Sequence, residues 1–290
     1  MSGVAYEIVD VFTDRPFAGN PLAVVYGADD LAADQMHTLA REFNLSETVF
    51  VLSPTDPAAT YRVRIFTPEL EIPFAGHPSV GAAVTSMRRG LFPPGDVIQE
   101  CGAGLLPITV TSHGSATVTG GTPRLGPALA VEPLLEITGL AAEDHAGGAP
   151  RHAGGGLDWV IFPVRREALA KITINARAAQ EHGVTDLSVV AWNPESSEAH
   201  ARVFIPGSAV PEDPATGSAA LALGIWLVDA GLLPADGTSS YRIHQGIEMK
   251  RPSRLECTVT AVAGEAVSAT VAGHVWPVAT GQIAVPPFVG

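Results

Sequence analysis

Apolar residues in this chain gather in short runs with the composition of β-strands. They lie at Tyr6–Val11, Leu22–Tyr26, Thr48–Leu52, Tyr61–Phe66, Leu106–Val110, Trp159–Phe162, Leu187–Trp192, Ala201–Ile205, Arg254–Val259 and Ala266–Val271. Each is rich in Val, Ile and aromatics, and Gly, Pro or polar residues separate them, which is the signature of strands joined by turns. Helical spacing is rarer. Ala32, Met36, Leu39, Ala40 and Phe43 fall on one helical face, with Asp30 placed to cap it. Two further helices are predicted to begin at Pro78 and Pro214. The stretch AGGAPRHAGGG, residues 146–156, reads as a flexible loop. Many strands with few helices predict an α+β fold.

The pattern repeats itself at long range. RIFTPELEIPFAGHPSVGAA starts at Arg64 and RVFIPGSAVPEDPATGSAA at Arg202. Arg64, Phe66 and Pro68 align with Arg202, Phe204 and Pro206. Past a change in loop length, Pro78, Gly81 and Ala83 align with Pro214, Gly217 and Ala219. Each segment reads as strand, loop, helix. His77 and Asp213 are expected at the helix N-caps, with proline at the first helical position, where its missing N–H costs nothing. Gly90 and Gly231 act as stop signals. Such a duplication predicts two similar domains, residues 1–118 with 279–290 and residues 119–278.

The two repeated helices have no polar face. Val80, Ala82, Ala83, Val84 and Met87 occupy one, and Ala219 to Val228 the other. A helix apolar all round is a buried helix, so each sheet is expected to wrap around its own central helix. A buried helix start carries unpaired N–H groups and partial positive charge. Gly81, Ala82, Gly217 and Ser218 are small enough to let a ligand reach that backbone. Two such ends suit a carboxylate.

Charge and composition narrow the partners. Over 290 residues the net charge is −13, which disfavours nucleic acid and anionic membranes because both demand Lys and Arg. A small anionic substrate remains compatible through a locally positive site. Cys101 and Cys257 form no C-x-x-C pair, so neither a disulfide framework nor a cysteine zinc site is expected. No metal site is expected among the nine histidines, which lack ligand spacing. No nucleotide motif is present. No run is long enough to span a membrane, and the N-terminus reads as a strand rather than a signal peptide, so a cytoplasmic location is expected. Glu47, in FNLSETVFVL, has apolar neighbours Leu45, Val49 and Phe50, whose burial of the carboxyl favours acid–base use. Position alone allows plainer roles: Glu47 as a solvated charge, His77 and Asp213 as caps, Ser218 as a packing residue.

Read together, DVFTDRPFAGNPLAVV, NLSETVFV, RIFTPELEIPFAGHPSVGAA, EDPATGSAA and QGIEMKRPS resemble the PhzF-like isomerase family of phenazine biosynthesis. The resemblance runs from Val11 to Ser253. It implies the diaminopimelate-epimerase-like fold, two domains each with a sheet around a central helix, and a strand near Gly281–Val285 that returns to the first domain. It implies a cofactor-free isomerase working in a cleft between the domains. Glu47 is then the proton shuttle, His77, Asp213 and Ser218 line the substrate, and Gly76 and Gly217 bring backbone to the ligand. The best-known activity of the family acts on trans-2,3-dihydro-3-hydroxyanthranilate, and a homodimer is implied. Lys250 stands where the family commonly has glycine, implying a different loop there. An amino-acid racemase on the same fold needs a cysteine in each repeat. The corresponding positions are read as Ala75 and Pro214, so that alternative is disfavoured. A non-catalytic carboxylate-binding protein is the other alternative; the joint presence of Glu47, His77, Asp213 and Ser218 speaks against it.

Overall fold

The computed structural model describes residues 3–287. The chain forms two compact units, one of residues up to Thr119 together with those from Ala272 on, the other Gly120–Val271. The return to the first unit therefore comes at Ala272, not at 279.

The first unit contains β1 (Gly3–Val11), β2 (Asn20–Tyr26), α1 (Ala33–Phe43), β3 (Thr48–Leu52), β4 (Tyr61–Phe66), β5 (Glu71–Ile72), α2 (Gly76–Arg88), β6 (Gly95–Cys101), β7 (Gly104–Val110) and β8 (Ser115–Thr119). The second contains β9 (Arg124–Ala128), α3 (Val131–Thr138), β10 (Arg151–Gly154), β11 (Asp158–Pro163), a 3₁₀ segment (Arg166–Lys171), α4 (Ala176–Glu181), β12 (Leu187–Asn193), β13 (Glu198–Phe204), β14 (Glu212–Asp213), α5 (Gly217–Asp229), β15 (Gly237–Gln245) and β16 (Ser253–Val262). The last strand, β17 (Glu265–Ala284), has its early residues in the second unit and its later ones in the first. All ten apolar runs lie on strands, although β13 ends one residue before Ile205.

In the first unit β1 pairs antiparallel with β2 and with β17, where Gly3 faces Ala284. Pairing continues through β3, β4, β6, β7 and β8. The Val275 N–H then donates to Gly114 O beside β8. Strands β1, β2, β3, β7 and β8 all touch α2, so the sheet wraps the helix, and every α2 residue from Gly76 to Ser86 is buried. The second unit repeats the plan. α5 touches β9, β10, β11 and β16 and is buried from Gly217 to Val228. Gly81 is required by close approach, since a Cβ there would lie 2.3 Å from a Leu22 methyl. Outside the wrapped sheets, Met36, Leu39 and Ala40 of α1 pack on Phe50 and Phe66. Leu134, Ile137, Ala178 and Leu169 cover Phe162, Val189 and Phe204.

Several expectations need correction. Residues 146–156 contain β10, which pairs with both β9 and β11. The N-cap of α1 is Ala32, and its N–H is satisfied by the Gln35 side chain, not by Asp30. The central helices start at Gly76 and Gly217 rather than at Pro78 and Pro214, with Ala75 and Thr216 as N-caps. His77 is thus inside the first helical turn, and Asp213 lies before its helix, in β14. The repeat aligns without gaps from Glu71 and Glu212 onward, so His77 matches Ser218 and Ala75 matches Thr216. The extra length lies earlier, between Arg and Glu, 64 to 71 against 202 to 212. Both helices are 13 residues long, and Gly90 and Gly231 follow them at φ 77° and 67°, as their stop-signal role requires. Among the described residues no helix is long and apolar enough to cross a membrane.

Candidate active site

In both copies a buttress fixes the loop that leads into the central helix. The Arg64 guanidinium makes two parallel bonds to Glu71, 2.7 and 2.6 Å, and lies over Phe66 at 5.2 Å. Arg202 does the same to Glu212, both at 2.8 Å, over Phe204 at 4.9 Å. The fork geometry of a bidentate pair fixes direction as well as distance. It ties β5 to β4 and β14 to β13, and so sets where each helix begins.

In the first unit, Asn44 ends α1 in the left-handed conformation, φ 50°. The chain then turns through Ser46 and Glu47 into the buried strand β3. Glu47 Oε2 lies 3.5 Å from Nε2 of His77, whose side chain is 4% exposed against 17% for Glu47. On the far side of the ring, His77 Nδ1 meets Asn20 Nδ2 at 3.3 Å, and Ser46 Oγ donates to Asn20 Oδ1 at 3.2 Å. With its carbonyl oxygen taken by Ser46, Asn20 presents its NH₂ group to the ring. Nδ1 must then accept, and the single ring proton sits on Nε2, towards Glu47. Ala75 has no side chain with which to cap α2, which leaves the helix start available to an anion.

Burial lowers the His77 pKa from the ordinary 6.5 to about 3, since a charge there is not hydrated. The ring is neutral at any working pH, and the sign of the linkage follows. Above pH 6.5 folded and unfolded chains are both neutral at this site. Between 6.5 and 3 only the unfolded chain takes the proton, so stability falls as the solution is acidified. Unfolding measured across this range should lose on the order of a few kcal/mol to this residue, and His77→Gln should flatten that part of the curve. An unchanged slope in the variant would contradict the assignment.

In the second unit, Thr216 Oγ1 donates to Asp213 Oδ2 at 2.5 Å. Gln245, at the end of β15, clasps both residues. Its amide donates to Asp213 O at 2.7 Å and to Thr216 Oγ1 at 3.0 Å, while its oxygen accepts from Thr216 N at 3.1 Å. The next residue, Gly246, has φ 72°, and a Cβ there would lie 2.4 Å from Arg251 O and 2.6 Å from Pro214 O. The segment after β15 is therefore pressed against the Asp213 loop. Lys250 has φ 59°, a backbone conformation for which glycine is the natural residue. Ser218, in the first turn of α5, accepts from the Trp159 indole N–H at 3.0 Å. Its own O–H is thereby turned away from Trp159.

The structure groups Glu47 and His77 directly, with Gly76 beside them in α2. It places Asp213 just ahead of Gly217 and Ser218. Asn20, Ser46, Thr216, Trp159 and Gln245 were missed from the sequence. Asn20 and Gln245 lie inside the quoted motifs, and both are buried polar residues on strands. The corrected repeat changes the argument against thiol chemistry without reversing it. The paired positions are Ala75 and Thr216, and neither bears a thiol. Cys257 is buried, with its thiol pKa pushed up by burial. Among the described residues no three His, Cys, Asp or Glu side chains group to hold a metal ion.

This geometry can be set beside known proteins. The chain matches the family described as phenazine biosynthesis-like proteins over residues 9–281. It belongs to that family. An isomerase of Mesorhizobium japonicum is 38% identical over 96% of this chain and 98% of its own. The trans-2,3-dihydro-3-hydroxyanthranilate isomerase of Pseudomonas aeruginosa is 34% identical over 91% and 93%. A crystal structure of a PhzF-family phenazine biosynthesis protein from Bacillus anthracis superposes with a TM-score of 0.88 at 25% identity, covering 98% of this chain and 100% of that one. The PhzF-family chain is thus an isomerase, on the α+β epimerase-like fold that the family resemblance implies.

Proposed function

We propose that the protein is a cofactor-independent isomerase that moves a proton between two carbons of a small unsaturated cyclic carboxylate. Glu47 takes the proton from one carbon. The C–H electron pair becomes a new double bond, the old double bond shifts, and its terminal carbon receives the proton back from Glu47. The contact between Glu47 and the buried neutral His77, at 3.5 Å, carries this reading. An N–H donor beside the carboxylate orients it without supplying a competing acid. The open N-termini of α2 and α5 suit the substrate carboxylate, through the backbone at Gly76 and Gly217. Asp213 suits an amino or hydroxyl group, and Ser218 a further polar atom.

The name and similarity of the Pseudomonas relative support trans-2,3-dihydro-3-hydroxyanthranilate as the first compound to assay. The purified protein is expected to convert it. Asp213→Asn should retain the fold, because asparagine still accepts from Thr216. It should lower turnover about tenfold, the scale of one hydrogen bond to a charged group. A wild-type protein that leaves the compound unchanged overturns this substrate. Full turnover in the Asp213→Asn variant reduces Asp213 to a structural element of the loop.

A further inference from the structure

The two units carry a carboxylate at the same point of their sheets. In the first, Thr48 pairs with Phe66 of β4 and with Ala23 of β2. In the second, Leu187 pairs with Phe204 of β13 and with Val160 of β11. Phe66 and Phe204 are matched residues of the repeat, so Thr48 matches Leu187 and Glu47 matches Asp186. The lead-in residues agree: Ser46-Glu47 enters β3, and Thr185-Asp186 enters β12. Val160 and Leu187 both pack in the core cluster with Leu134 and Ala178. Side chains alternate along a strand, so Trp159 and Asp186, one residue back on each, face the other way, towards α5. The Trp159 indole does so, bonding Ser218 at 3.0 Å. Beside it, the Val160 N–H donates to Asp186 O at 2.9 Å. Since Ser218 matches His77, Asp186 stands to Ser218 as Glu47 stands to His77.

The chemistry differs between the two copies. In the first unit the imidazole and the longer glutamate arm close to 3.5 Å. In the second, serine replaces the ring and aspartate is one carbon shorter. Among the described residues Asp186 and Ser218 are not bonded to each other, and Asp186 has no cationic partner; its Oδ2 accepts from Thr185 Oγ1 at 2.6 Å. Without an imidazole N–H beside it, Asp186 is placed to bind rather than to shuttle a proton. A carboxylate only accepts, while Ser218, already accepting from Trp159, has its own proton to donate. One hydroxyl group answers both, donating to Asp186 and accepting from Ser218. We propose that Asp186 is a specificity-determining residue of the second unit, which with Ser218 selects a hydroxyl group on the cyclic carboxylate. This rests on the reading of Ser218 as part of a substrate site, and it adds that the substrate is hydroxylated.

3-Hydroxybenzoate and benzoate differ by one hydroxyl and are not consumed, so they isolate this contact. The Trp159 indole N–H, assigned with Trp159→Phe, reports both in ¹⁵N–¹H spectra of the intact protein. The wild type should bind 3-hydroxybenzoate about tenfold more tightly than benzoate, the scale of one hydrogen bond to a charged group. Asp186→Ala should erase that preference without weakening benzoate. No Trp159 response to either compound, no preference in the wild type, a preference that survives in Asp186→Ala, or an equal loss of both ligands overturns the proposal. Turnover of trans-2,3-dihydro-3-hydroxyanthranilate separates this inference from the reading beneath it. Asp186→Ala should raise KM about tenfold with kcat little changed, as expected for binding shared by ground and transition states. A wild-type protein that leaves that compound unchanged removes it as the substrate, while a hydroxyl preference that depends on Asp186 still supports the contact.

Discussion

Replacing Glu47 by Gln is expected to lower turnover by roughly 10²-fold or more, the scale of losing a general acid–base group, while the fold and ligand binding persist. Glutamine has nearly the shape of glutamate and keeps a carbonyl oxygen at the position that faces His77 Nε2, 3.5 Å away in the wild type. It cannot take a proton from carbon and return it. Because the pair lies at the mouth of β3, beside the fully buried Thr48 and Val49, a larger change would disturb packing and blur the result. Circular dichroism and thermal unfolding serve as controls. Product formed in D₂O should carry deuterium at the reprotonated carbon to the extent that the carboxyl exchanges before return. Low labelling means a shielded carboxyl and leaves the role intact. Wild-type turnover by Glu47→Gln on a converted substrate removes Glu47 from the mechanism.

The strands most readily seen in the sequence were those buried on both faces. All five residues of β3 are buried, as are the first five of β12, and such strands read as unbroken apolar runs. β15, GTSSYRIHQ, alternates at its inner end, but its outer half is exposed serine and threonine, so apolar periodicity has little to register. β10 is hidden differently. Gly154 needs its lack of side chain because Leu157 O and Asp158 crowd that position, and a glycine-rich stretch that packs closely looks the same in composition as one that is loose. The repeat was legible, but its register was not. Proline at 78 and at 214 suggested matching helix starts. The backbone instead matches Glu71 with Glu212, the partners of the two arginines. That match is visible only once the longer loop is placed ahead of the glutamate. Glu47 and His77 could be named as candidates separately; the polar residue that orders them could not, because its role depends on β2 passing beside the first turn of α2.

That residue is Asn20, fully buried at the start of β2, and its substitution carries the second large expected effect. In the wild type Asn20 Nδ2 donates to His77 Nδ1 at 3.3 Å, which holds the ring proton on Nε2. ¹⁵N spectra of the histidine ring should therefore show a protonated Nε2 and an unprotonated Nδ1. Asn20→Asp replaces the donor by an acceptor. The ring then has two options. It can move its proton to Nδ1, turning the Nε2 lone pair against the Glu47 carboxylate. It can instead bind a second proton, drawn by the new negative charge against the burial that now holds its pKa at about 3. In either state the neutral Nε2–H donor is lost, and turnover should fall roughly 10- to 100-fold, the range for hydrogen bonds to a charged group. Asn20→Leu separates structure from chemistry. It should destabilise the protein by about 1–3 kcal/mol through the unpaired Nδ1 and leave the tautomer unfixed. A kcat that falls in step with the Nε2–H population, with KM little changed, identifies Asn20 as the residue that positions His77. Ring nitrogens identical in wild type and Asn20→Asp, or full turnover despite an altered tautomer, would show that the orientation of this histidine does not govern the proton shift.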